Sequence, residues 1–225
     1  MMKKRIKMDS AILSLVIIMA GFLFLFEKFY PSRREIDNIL DFFGFMILFK
    51  GILFRMAARG HKKKYSQASS QLVTTGIYAM TRNPMYLGTF LISAACILMI
   101  WPWWCVFLYA GLFYLRFDRE IAQEEKVLKE KFGLGYEEYC KKTPRIFPSV
   151  RKAFEVKLRD VFNLKEAFST EERNLLFVAP AIIIILETFQ ELMVFGSTDL
   201  RVTTNIFGWA AVIFVIIFAI FYQKR

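Results

Sequence analysis

The sequence predicts an all-α protein, a polytopic membrane helix bundle of about six transmembrane segments with a short helical hairpin and a cytosolic segment. Three observations carry this. Hydrophobic residues make up 56% of 225 positions and aromatic residues 17%, well above the apolar share of an ordinary soluble domain. The apolar residues gather into runs that approach the roughly 20 needed to cross a bilayer. The 31 lysines and arginines are divided very unevenly among the segments between those runs.

The first run, residues 11–26, follows Lys3, Lys4, Arg5 and Lys7. No small-x-small cleavage pattern follows it, so it reads as a retained span rather than a signal peptide. A second run covers residues 39–56 and contains Lys50, read as snorkelling toward the nearby interface. Residues 57–83 are polar and basic. Two short runs, 85–100 and 103–115, are separated only by Trp101-Pro102. They read as a tight hairpin with Trp101, Trp103 and Trp104 at its interfacial tip. From 116 to 132 the pattern becomes amphipathic: Phe117, Ile121, Leu128 and Phe132 share one helical face. Glu124 and Glu125 flank that stripe, where acids need a partner or a ligand. Residues 150–168 mix Phe154, Val156, Leu158, Val161, Phe162 and Leu164 with basic residues, the pattern of an interfacial helix on anionic lipid. Two final spans, 175–195 and 206–222, complete the six. Glu187 and Glu191 lie one turn apart near the far end of the fifth, and read as either interfacial or functional.

This order puts both termini on one side. That side then carries 26 basic residues, in segments 3–7, 55–82, 116–173 and 224–225. The other carries only Lys28, Arg33, Arg34 and Arg201. The positive-inside rule places the basic side, with Arg82 and Glu124, in the cytoplasm. The formal charge of +11 is thereby explained by topology, and no basic-aromatic pattern points to nucleic acid. Cys96, Cys105 and Cys140 have no metal-ligand spacing, so neither a disulfide framework nor a zinc site is indicated. His61, the only histidine, stands beside three lysines and reads as a surface residue.

The chemistry concentrates in the stretch from Gly76 to Gly88. Pro84 suits a first helical turn, where its missing N–H costs nothing, and Asn83 or Thr81 is placed to cap it. An arginine, Arg82, at such a helix start brings a guanidinium, unpaired N–H groups and a positive dipole end to one place. That is an anion-attracting arrangement. The alternative is a basic residue snorkelling at a membrane edge.

Gly76-x-Tyr78-x-x-x-Arg82-Asn83-Pro84-x-Tyr86-x-Gly88 precedes the hairpin. Glu124-Glu125-x-x-Leu128-x-x-x-Phe132-Gly133-x-x-Tyr136-x-x-Tyr139, then Pro144-Arg145 and Pro148, follow it. In order and spacing these resemble the isoprenylcysteine carboxyl methyltransferase and phospholipid methyltransferase superfamily, over residues 76–148, about a third of the chain. The resemblance implies S-adenosylmethionine (SAM) as methyl donor and a lipid or prenylated substrate in a membrane, with a cytosolic cofactor-binding segment. It divides the chain into an N-terminal transmembrane pair with a basic loop (1–75), a methyltransferase core (76–149) and an interfacial helix with a C-terminal transmembrane pair (150–225).

By the family pattern, Arg82 and Glu125 would be catalytic, nearest the acceptor. Asn83, Tyr86, Leu87, Gly88, Glu124, Tyr136, Tyr139 and Arg145 would line the donor site, the last three and Pro144 shaping its lid. The chemistry agrees: SAM offers hydroxyls to carboxylates, a carboxylate to an arginine, and a sulfonium attracted to aromatic faces and acids. Methyl transfer is an in-line displacement in which positioning supplies much of the acceleration. One departure stands out, since the family usually has His where this chain has Asn83, which hydrogen-bonds but carries no proton near neutral pH. A carboxylate acceptor is the easier chemistry and is slightly preferred; an amine lipid would need a base, for which Glu125 is the obvious group. Two rivals remain. NADPH-using sterol-type reductases share a similar Arg-His-Pro-x-Tyr ending, but typically carry Asn after the proline and an acid after the glycine, where this chain has Met85 and Thr89. A non-catalytic membrane scaffold is the other.

Overall fold

The computed structural model describes residues 27–31, 33–65, 71–148 and 158–223. The expected first span and much of the expected interfacial helix therefore lie outside the described residues. What is described is helical, without strands among these residues. After a 3-10 turn, Glu27–Phe29, come α1 (Arg34–Tyr65), α2 (Ile77–Met80), α3 (Pro84–Ile100), α4 (Cys105–Phe132) and α5 (Leu134–Lys142). Two short helices, α6 (Leu158–Val161) and α7 (Leu164–Phe168), and a 3-10 turn, Glu171–Asn174, lead into α8 (Leu175–Phe195) and α9 (Leu200–Gln223).

The 32-residue α1 is the spine, about 48 Å long at 1.5 Å per residue. Phe45, Leu48, Ile52 and Met56 recur at helical spacing along it and are all fully buried, the stripe through which an amphipathic helix holds its neighbours. Its closest neighbour is α3. A Cβ added at Gly51 would meet the Ile92 nitrogen at 2.9 Å and Gly88 O at 3.0 Å; one added at Gly88 would meet Gly51 O at 2.9 Å. The two glycines let the helix backbones touch, the small-residue packing that serves helices in lipid. On another side Phe207 and Phe214 of α9 lie against Phe45 and Phe49, with ring centroids 5.2 to 5.8 Å apart.

Glu171–Phe195 and Leu200–Gln223 are each long and apolar enough to cross a membrane. Phe177, Ile185, Trp209 and Val215 stand exposed on them, a contiguous kind of apolar outer surface that suits lipid better than water. Pro84–Ile100 is apolar but only 17 residues long, in keeping with the expected short hairpin arm.

Three expectations need correction. The second hairpin arm and the amphipathic segment are one continuous helix, α4, of 28 residues, because nothing in the sequence between 115 and 117 breaks it. The interfacial helix is interrupted within its described part: Val161, Phe162 and Ala167 of α6, α7 and their link are buried in the core. The α7 backbone lies so close to α1 that a Cβ at Gly60 would clash with the Glu166 carbonyl. His61 is buried rather than a surface residue. Its ring fills the space under Gly76, where φ is +61° and a Cβ would come within 2.6 Å of the imidazole. Lys50, by contrast, is exposed, as expected of a snorkelling side chain.

Candidate functional site

Pro84 does open α3, with Asn83 at the capping position. Neither Asn83 nor Thr81 caps the helix with its side chain, contrary to expectation. Asn83 Nδ2 instead donates to Arg145 O at 2.9 Å and to Glu125 Oε1 at 3.4 Å. Thr81, wholly buried, donates its hydroxyl to Ile146 O at 2.7 Å. Between them Arg82 N donates to Pro144 O at 2.9 Å. Three consecutive residues of the turn are thus stitched to three consecutive residues of the segment after α5. This gives the carbonyls of residues 144–146, which belong to no helix, the partners that backbone groups require.

The stitching sets the side chains around Glu125. Arg82 Nη1 lies 3.1 Å from Glu125 Oε1 and Arg145 Nε 3.2 Å from Oε2. Arg145 also pairs through Nη1 with Asp118 and donates from Nη2 to Asp118 O at 3.2 Å. Burial disfavours the Arg145 charge, but Asp118 and Glu125 outweigh it and hold the guanidinium above its ordinary value. Two arginines and two acids make this core electrically balanced. Arg82 also donates from Nη1 to Cys140 Sγ at 2.7 Å, while its Nε is buried with no hydrogen-bond partner among the described residues. A buried donor left unpaired is costly unless something accepts from it.

Beside this core, Glu124 is exposed and accepts from the Tyr86 hydroxyl at 2.9 Å. Two bases of the same helix have other acids: Arg116 pairs with Glu120 and Lys129 with Glu137.

So Arg82, Asn83, Glu125 and Arg145 come together, with Tyr86 and Glu124 as an adjoining pair. The remaining expected residues are placed differently. Tyr139 donates to Tyr78 O at 2.7 Å and ties α5 to α2. Tyr136 is buried next to it, ring centroids 6.1 Å apart, on the Cys140 side. Burial raises both phenols well above their ordinary value, and Tyr78 to about 12. They serve as neutral donors, not bases. Leu87 is buried, and Gly88 faces α1, where close packing accounts for the absence of a side chain. An open groove of about 380 Å³ runs beside the lid, lined by Ala79, Gly135, Glu138 and Tyr139 among others; Arg82, Glu124 and Glu125 are not in its wall.

Sequence reasoning missed the roles of Asp118 and Cys140, and read Thr81 only as a cap. Asp118 had a signal: it precedes Glu125 by seven residues on one helix, two turns, and so shares its face. Cys140 carried none, since nothing in its type marks it out.

With this geometry in place, comparison with known proteins gives consistent findings. Residues 42–135 match the family described as phospholipid methyltransferase. Fission yeast (Schizosaccharomyces pombe) protein-S-isoprenylcysteine O-methyltransferase is 34% identical over 79 residues, 35% of this chain and 34% of that one. The human protein of the same name is 31% identical over 132 residues, 55% of this chain and 46% of that one. A mouse Delta(14)-sterol reductase is 34% identical over 86 residues, 36% of this chain and 20% of that one. No solved structure gives a significant match. The chain spans less than half the length of these curated relatives. The matches support the membrane methyltransferase superfamily that the motifs resemble.

Proposed function

We propose that the chain is an integral-membrane, SAM-dependent methyltransferase acting on a lipid-like or prenylated substrate at the cytosolic face. Carboxyl O-methylation is slightly preferred over lipid amine N-methylation. The observation that carries this reading is Arg82: a guanidinium held at a helix start by Glu125 and Cys140, with a buried Nε still lacking an acceptor. A substrate carboxylate supplies one. It is already ionised near neutral pH, and an arginine fixes it with directional, charge-assisted hydrogen bonds.

Bound SAM would supply an electrophilic methyl group. Glu124 and Tyr86, adjacent and accessible, would hold its polar groups, and the exposed acid suits a cationic donor. Asn83 stands where the family usually has His. Here it braces Glu125 and the Arg145 carbonyl, a task that needs no titrating proton. Both oxygens of Glu125 already accept from arginines, which favours an acceptor that needs no base. Arg145 and Asp118 hold Glu125, and Glu125 orients Arg82. The six-span topology, the cytosolic orientation and the core at 76–149 belong to the same proposal.

The test uses the purified chain in detergent, with SAM and NADPH offered separately. SAM binding that weakens in Glu124→Gln is expected; NADPH binding without SAM binding points to the reductase, and binding of neither to a scaffold. Labelled methyl transferred into a lipid extract should be released by mild base as an ester, whereas base-stable label makes the acceptor an amine.

A further inference from the structure

A second polar cluster lies far from Arg82. Asp37 and Asp41 occupy the first turns of α1, and Glu187 and Gln190 the last turns of α8. All four are at least 96% buried. Arg55, which sits behind Gly88, is 14 residues further along α1 than Asp41, about 20 Å at helical rise. The cluster is therefore separate from the residues around Glu125.

Its composition is unusual for a buried site. Oxygens of Asp37, Asp41 and Glu187 lie within 4.8 Å of one another. Asp37 Oδ2, Asp41 Oδ1 and both Glu187 oxygens have no hydrogen-bond partner among the described residues. Gln190 adds an independent observation. Its amide is 1% exposed and faces Asp37, yet neither its oxygen nor its nitrogen completes a hydrogen bond. Glu191, one turn from Glu187, is also buried, but its carboxylate accepts from Thr198 Oγ1 at 2.9 Å and Asp199 N at 3.1 Å. The nearby Arg34 guanidinium donates to Ser197 O and Oγ at 2.8 and 3.0 Å. Among the described residues no ion pair neutralises Asp37, Asp41 or Glu187.

Buried acids must be neutralised by protons or by a cation. Protons shared between Asp41 and Glu187 would settle that pair but leave the Gln190 amide oxygen without a function. A single cation gives the three carboxylates and the amide oxygen one common partner. Carboxylate and amide oxygens are the ligands of hard divalent ions, and a metal–oxygen distance of about 2.4 Å sets opposite ligands about 5 Å apart. The three carboxylate oxygens, all within 4.8 Å of one another, are close enough to share one ion. We propose that Asp37, Asp41, Glu187 and Gln190 form a structural binding site for a hard divalent cation, clamping the start of α1 to the end of α8. This site is independent of the methyl-transfer reading.

The experiment is a Mn²⁺ titration of the full chain in detergent, stripped with chelator and held near neutral pH, read by electron paramagnetic resonance. One saturable Mn²⁺ per chain is expected, displaced by Ca²⁺, with Asp41→Asn and Glu187→Gln each weakening it at least about tenfold, the loss typical of a disturbed metal site. Mn²⁺ should also raise the melting temperature of the unmodified chain, which reads the site without any substitution. Absence of saturable binding in the unmodified chain overturns the proposal. Binding that survives the double substitution, or binding equally weakened by exchanging the exposed Glu130 for Gln, overturns it too.

Discussion

The segment formed by the 3-10 turn and α8 carries an acid near each end, and the two fare oppositely. At the beginning, Glu172 receives a two-point contact from Arg55, at 2.9 and 3.0 Å, and a further one from Arg59 at 3.3 Å. At the end, Glu187 faces Asp41 and Asp37. The same contrast divides the molecule. Toward the Arg82 end, the acids that hold helices together have arginine partners; at the Asp41 end they have one another. A helix bundle can use a buried charge as a strut when the opposite charge is built into the chain. Where it is not, the charge needs a partner from solution. The first arrangement leaves a spare donor, Arg82 Nε, and so suits an anion. The second leaves spare acceptors, and so suits a cation.

The largest effect should come from removing the spare donor. Arg82→Ala abolishes the proposed anchor and strips Glu125 of one arginine. Methyl transfer should fall about 100-fold or more, as expected when substrate alignment is lost, and labelled-methyl assays read this directly. Arg82→Lys should not rescue it fully, since an ammonium lacks the guanidinium fork. Activity near that of the unmodified chain in Arg82→Ala would remove Arg82 from the site.

Next come two isosteric exchanges that should move stability in opposite directions. Glu125→Gln leaves Arg82 and Arg145 short of their shared acid. It should destabilise by on the order of 2 kcal/mol, the scale of hydrogen bonds to charged groups. Glu187→Gln, measured in chelator, replaces an acid that must take up a proton to stay buried and should be neutral or stabilising. Thermal unfolding in the same detergent compares them. If both destabilise equally, the paired and unpaired clusters are energetically alike and the contrast fails.

Smaller still is Glu124→Gln. The side chain is exposed and its one described contact is with Tyr86, so stability should stay within about 0.5 kcal/mol. The KM for SAM should rise about tenfold, a loss of roughly 1.4 kcal/mol of binding, with kcat little changed. A fall in kcat alone would make Glu124 part of the chemistry instead.

The contrast between the two ends was only half visible in the sequence. Arg82 could be read because it interrupts the apolar pattern at a helix start, and Glu124-Glu125 because they flank an apolar stripe inside a helix, where a charge must have a reason. Glu187 and Glu191 were visible as a one-turn pair on one face. Their burial against Asp37 and Asp41 depends on an antiparallel register between helices about 150 residues apart in the chain, which no local pattern records. The stitch between residues 81–83 and 144–146 ends on backbone carbonyls throughout, and those acceptors are the same for every residue type. His61 misled because three following lysines imitate a solvated surface. On a helix those lysines spread over the other sides and leave the histidine facing inward.

His61 also supplies the finest test of what pairing does. Its Nε2 lies 3.0 Å from Thr75 Oγ1, and its Nδ1 3.4 Å from Glu166, which already holds Lys64 at 2.7 Å. Burial lowers its pKa below the ordinary 6.5, and Glu166, pulling the other way, does not overcome this. The sign follows: the unfolded chain takes up a proton at a higher pH than the folded one. Stability from this group is complete above about 6.5 and declines as pH falls through that value toward the folded pKa. Comparing His61→Gln with the unmodified chain by thermal unfolding between about pH 5 and 7.5 isolates the histidine, because every other group that titrates in this range is common to both. The unmodified chain should lose more stability than the variant on acidification. If it gains instead, Glu166 holds a protonated His61, and an acid already satisfied by a lysine still has attraction to spare. Loss means that an acid which already has its cation pulls on the next nearby base too weakly to overcome burial.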